Sequence, residues 1–174
     1  MIKSTNVLGV LRVVNAVLER TAFALGIAIV AIIVFALFMS AVTRYISGNG
    51  YDWLIELPPI LICWLVFPLL GPLLRNGQHI NVNVLGLYIS NKGKTLIKFC
   101  NSLIAFLAAG FFFKAGVDAT LLYYNMGQIL EIELEIPVWW MYLAFPVGFF
   151  ILLSFSLELL LSDLNQMLKN YTRN

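Results

Sequence analysis

Residues 21–43 read TAFALGIAIVAIIVFALFMSAVT, a run without one charged side chain. A helix needs roughly 20 such residues to cross bilayer hydrocarbon. This stretch therefore reads as a transmembrane helix, closed at an interface by Arg44 and Tyr45. It starts only after twenty mixed residues and further apolar runs follow, unlike the h-region of a cleaved signal peptide.

The rest of the chain agrees with that solvent. Of 174 residues, 61% are hydrophobic and 11% charged, and the mean hydropathy is +0.90. A soluble domain is about 25% charged. One of this size could not hide so much apolar surface. The composition excludes an ordinary soluble domain and a disordered chain, and a net charge of +2 is too small for a nucleic-acid footprint. Cys63 and Cys100 make no CxxC, and His79 is the lone histidine, so thiol–disulfide and bis-histidine haem chemistry are also excluded.

Working outward from the first run, three more spans emerge. Residues 53–74 form the second, uncharged after Glu56 and carrying Pro58, Pro59, Pro68 and Pro72. Each proline removes a backbone donor, so this helix is expected to be bent and packed against protein. Residues 95–113 form the third, with a helical pattern continuing to about 125. Residues 137–157 form the fourth, bent at Pro146 and closed by Glu158, before a polar tail over 158–174. Between spans 2 and 3, HINVNVLGLYI is too short to cross and reads as a surface segment. In QILEIELEIP, Glu131, Glu133 and Glu135 alternate with apolar residues, which predicts an extended segment. In residues 1–20, Arg12, Asn15 and Glu19 recur at helical spacing among valines and leucines, which predicts an amphipathic helix lying on the membrane. The expected fold is thus an all-α integral membrane domain: four transmembrane helices, an N-terminal amphipathic surface helix and a surface segment between spans 2 and 3.

Charge gives an orientation. In this topology nine of the eleven Lys and Arg residues fall on the side of the termini, leaving Arg44 and Lys114 opposite. The positive-inside rule then puts both termini in the cytoplasm.

The candidate functional residues are mostly polar groups near span ends. Glu56 suits the positive end of its helix and is a possible partner of Arg44 or of another subunit. His79 reads as an interfacial histidine, with no second ligand to make a metal site. Trp53, Trp139 and Trp140, with Tyr45 and Tyr142, read as membrane-interface anchors. Trp64 lies mid-span and needs an acceptor for its N–H, which makes it a candidate contact with another membrane protein. Lys114 and Asp118 could pair on one helix face. Glu131, Glu133 and Glu135 form an acidic rim where a soluble partner could dock. No charge is expected deep in a span, which speaks against a self-contained ion-coupled pump.

The stretch RYISGNGYDWLIELPPILICWLVFPLLGPLLRNGQHINVNVL resembles the small membrane subunit of tripartite ATP-independent periplasmic (TRAP) transporters, the DctQ-like family. The resemblance rests on Arg44-Tyr45, Trp53 with Glu56, Trp64, Gly71, Arg75, and Gly77-x-His79-Ile80. Ile136-Pro137-x-Trp139 and Phe145-Pro146-Val147-Gly148 resemble the family's last span. Asn83, where the family often has an acidic residue, and Pro58-Pro59 depart from the pattern. The resemblance implies a bacterial inner-membrane scaffold subunit with no enzymatic activity and no cofactor of its own. It implies two partners: a large membrane subunit carrying substrate and sodium, and an extracytoplasmic binding protein delivering an organic acid. The competing expectation is a homo-oligomeric four-span transporter or channel. A membrane enzyme, the third class, would need a catalytic cluster, and Glu56 with Arg44 offers neither nucleophile nor metal ligands.

Overall fold

The computed structural model describes residues 2–76, 91–130 and 135–172, and side chains within 8–76, 93, 96–130 and 135–167. Five helices follow in order: α1 (Ile2–Ser47), α2 (Trp53–Arg75), α3 (Asn91–Met126), α4 (Val138–Tyr142) and α5 (Ala144–Thr172). Four stretches are long and apolar enough to cross a membrane: Leu8–Ser47, Trp53–Arg75, Leu96–Met126 and Val138–Met167.

The four long helices form a layer rather than a ring. In it α5 packs against both α3 and α2, and α1 packs mainly against α2, with a smaller contact on α5. The order across the layer is α1, α2, α5, α3. Glycine sets the tightest crossing, between α2 and α5. A methyl group on Gly148 would fall inside the Phe67 side chain and its carbonyl, and one on Gly71 would lie 2.7 Å from Phe155. Hydrogen at these two positions lets the backbones approach as membrane helices do through small residues. The face of α1 turned toward its neighbours is also mostly small: Asn15, Ala22, Gly26, Ile29, Ala36 and Ser40 are buried there.

Four prolines leave α2 helical throughout, and Pro58, Pro68 and Pro72 are buried. Its place between α1 and α5 supplies the protein neighbours that such a helix needs. Span 4 is interrupted near Pro146, as the ring's missing N–H favours: α4 stops at Tyr142 and α5 starts at Ala144. Residues 128–130 lie alongside residues 136–138, with the Val138 N–H donating to the Gln128 carbonyl at 3.0 Å. Ile129 and Pro137 form an antiparallel bridge, and Leu130 N–H donates to the Ile136 carbonyl at 2.9 Å. The surface segment expected at 79–89 lies outside the described residues.

One expectation is corrected. Residues 2–20 are not a separate surface helix but the first part of α1, continuous with the span to Ser47. Gly48, at a φ of 72°, is the first break, which suits a glycine at a helix C-terminus. Glu158, at the expected end of span 4, is buried within α5, and the helix runs on to Thr172. In both places a polar residue of an apolar helix faces another helix.

Candidate functional site

At the end of the layer carrying the chain termini, polar groups from α1, α2 and α5 converge. Asn15 is fully buried on α1. Its amide donates to Glu158 Oε2 at 2.7 Å and to the Ser154 carbonyl at 3.2 Å, while Ser154 Oγ donates to Asn15 Oδ1 at 2.6 Å. Arg75, the last residue of α2, reaches Glu19 at 3.1 Å and Glu158 at 3.6 Å. Arg12 lies 3.9 Å from Glu158, and Asn76 donates to Glu19 at 3.3 Å. The Arg75 guanidinium also sits 5.9 Å from the centre of the Phe155 ring.

Two arginines and two carboxylates balance in this cluster, and every donor named has an acceptor. Of the stripe Arg12, Asn15, Glu19, the last two thus turn toward protein and Arg12 is exposed at its margin, 3.9 Å from Glu158, while Val10, Val13, Val14 and Val17 form the exposed apolar side. In lipid that is the economical arrangement, since each unpaired polar group would cost several kcal/mol. A further polar tie at this end joins α3 to α5, where Ser102 Oγ donates to Asp163 at 2.6 Å. The sequence reading missed the cluster. Its only signal was polar spacing in residues 12–19, which does not say which way the polar face turns.

The opposite end is aromatic. Trp64 Nε1 donates to the Trp140 carbonyl at 3.2 Å, and the two indoles lie 5.7 Å apart. The N–H of Trp64 is therefore satisfied inside the chain. Tyr142 stacks on Tyr123 at 4.1 Å with a hydroxyl–hydroxyl hydrogen bond of 3.2 Å, and Trp139 packs edge-on against Tyr124. These rings fasten α4 to α3. Trp140 is about half exposed and Tyr45 is 92% exposed.

The remaining candidates scatter. Arg44 is exposed and its guanidinium lies over Gly50. Trp53 and Glu56 are partly buried in the first turn of α2. Lys114 and Asp118 are exposed on α3. They are not among the ion pairs of the described residues, so the expected pairing on one face is corrected. Glu135 is exposed, while Glu131, Glu133 and His79 lie outside the described residues.

Lys114 also corrects the expectation that charges stay near span ends. Its neighbour Phe113 meets Phe150, and Phe112 stacks on Phe149 at 5.3 Å. Phe150 is about 12 Å along α5 from Glu158 and about 15 Å from Trp140 at 1.5 Å per residue. Lys114 is thus level with the middle of the band between the polar cluster and the tryptophan pair. The reason is register. The apolar run 95–113, read as the third span, starts beside the far end of α5, where Ser102 meets Asp163.

No group of three or more His, Cys, Asp or Glu residues that could hold a metal ion occurs among the described residues. What the polar cluster can do is lock three helices together at one end.

The sequence matches the family described as tripartite ATP-independent periplasmic transporters, DctQ component, over residues 33–166. The chain belongs to the DctQ family. It is accordingly a multi-pass membrane component of a TRAP transporter. Comparison with individual curated proteins gives no match. The family match starts inside α1 and ends inside α5. It includes Arg75, Ser154 and Glu158 but not Arg12, Asn15 or Glu19, so the polar cluster joins matched to unmatched residues.

Proposed function

We propose that this DctQ chain is a static scaffold subunit. It pairs with a large membrane subunit that carries substrate and sodium, performs no catalysis and holds no cofactor. It helps dock an extracytoplasmic binding protein in sodium-coupled uptake of an organic acid. The observation that supports this most is the open layer of helices. α1 and α3 form its two edges, and both present large apolar side chains outward, from Ile27, Val34 and Phe35 on one to Ile104, Leu107 and Phe111 on the other. A layer of this kind adds to another membrane protein rather than enclosing a path of its own.

In this reading the chain lies in the bacterial inner membrane with both termini in the cytoplasm, following the excess of Lys and Arg on that side. The polar cluster then sits toward the cytoplasm. Glu135, with Glu131 and Glu133, lies on the side from which the binding protein approaches.

The test is affinity purification in mild detergent from cells expressing the whole transporter, paired with uptake after deletion of this chain. A stable complex with a larger membrane protein, and lost uptake, are expected. Isolation of this chain alone with normal uptake would overturn the reading. Substrate flux in liposomes holding only this chain would favour the homo-oligomeric alternative.

A further inference from the structure

The mid-depth position of Lys114 has a chemical consequence. Ile104, Leu107, Phe111, Lys114, Asp118 and Leu121 are all exposed and recur every three or four residues, so they form one stripe along α3. The stripe is apolar at both ends and charged at its centre. In the most apolar 18-residue stretch of α3 only 6% of residues are buried within the chain, against 22–39% in the other three spans. A lysine and an aspartate facing acyl chains at this depth would be costly, and such residues ordinarily face protein or water. Among the described residues neither has a partner inside the chain, unlike Glu158. Beside the stripe an apolar groove of about 580 Å³ runs over α5, bordered by Phe113, Val117 and Leu121 of α3 and by Pro146 and Phe150. Leu121 belongs to both surfaces, so groove and stripe are continuous.

We propose that this stripe and groove form the seat of the large membrane subunit. That subunit would set an acidic side chain against Lys114 and a basic or hydrogen-bond-donating one against Asp118. A second copy of this chain fits less well. Two copies with the same orientation in one membrane, related by a twofold axis, would bring Lys114 to the same depth as its own copy, like charge beside like. A different chain can offer the complement. The inference rests on the scaffold reading and specifies the surface that reading needs.

The test uses membranes containing the complete transporter. A photo-crosslinking benzoylphenylalanine at Phe111 is expected to give an adduct between this chain and the large subunit. The same group at Phe35, on the outward face of α1, is expected to give no such adduct. Lys114→Glu is expected to lower the yield of purified complex at least tenfold, and Lys114→Arg to restore it to near wild type. A Phe111 adduct holding two copies of this chain, a lipid adduct alone, or undiminished yield from Lys114→Glu would each overturn the inference. If wild-type chain co-purifies with the large subunit but only Phe35 crosslinks to it, the seat is misplaced and the scaffold reading stands. If wild-type chain does not co-purify at all, the scaffold reading itself fails.

Discussion

Glu158 and Lys114 are both charged residues on membrane-spanning helices, and the fold treats them in opposite ways. Glu158 is buried and surrounded by Asn15, Arg75 and Arg12. Lys114 is exposed, about 12 Å away along the layer, with no partner among the described residues. The first charge is resolved within the chain, so its role is to hold helices together. The second is left open, so its environment must come from outside. A charged residue in a span is thus informative only once its neighbours are known.

The comparison is most sharply broken at Glu158. Glu158→Ala would leave Arg75 with Glu19 alone and leave the Asn15 amide only the Ser154 carbonyl, 3.2 Å away, as acceptor. Removing one partner from a buried pair costs roughly 3–5 kcal/mol. Thermal unfolding of the purified chain in detergent should show a correspondingly large drop in midpoint, and Glu158→Gln, which keeps an acceptor for Asn15, a smaller one.

The next largest effect is expected at the α2–α5 crossing on which the cluster depends. Gly148→Ala would force α5 away from Phe67, and overpacking of this kind costs about 1–3 kcal/mol. Gly9→Ala, where no atom lies within 4 Å of the added methyl, is the control and should stabilise slightly in the same assay, by up to about 1 kcal/mol from helix propensity. Trp64→Phe keeps the ring but loses the hydrogen bond to the Trp140 carbonyl, worth roughly 0.5–1.5 kcal/mol. Quenching of Trp140 fluorescence by lipid-borne bromine should then increase as α4 loosens.

The smallest effect is expected at Lys114. Lys114→Leu should change the stability of the isolated chain by no more than about 0.5 kcal/mol, as for surface sites without partners. An isolated chain destabilised as much as by Glu158→Ala would erase the distinction between the two charges.

The four spans were legible because continuous apolar length is a local property of the sequence. Residues 53–74 needed only their own composition to be read as a helix, although four prolines weaken its propensity. The polar cluster was not legible. Asn15 and Glu158 stand 143 positions apart in the chain, and nothing local to either predicts the other. The spacing of Arg12, Asn15 and Glu19 was read correctly as one face of a helix but assigned to water. Lys114 was misplaced for a related reason. Its depth depends on how α3 slides against α5, which is fixed by contacts such as Ser102 with Asp163 and Phe113 with Phe150.

The length of α1 has a consequence for the membrane around the protein. Val10, Val13, Val17, Ile27, Val34, Phe38 and Ile46 keep one apolar face exposed along most of this 46-residue helix. At 1.5 Å per residue that face is about 54 Å long, and hydrocarbon is only about 30 Å thick. Held wholly in that layer, it would travel about 45 Å sideways while crossing about 30 Å. An apolar face longer than the hydrocarbon is accommodated by tilt of the helix and by local thickening of the bilayer beside it. A helix held in this way would give a 19.6 kDa chain a footprint wider than its own packed layer. It also makes bilayer thickness, as well as protein contacts, a variable to which the chain is sensitive.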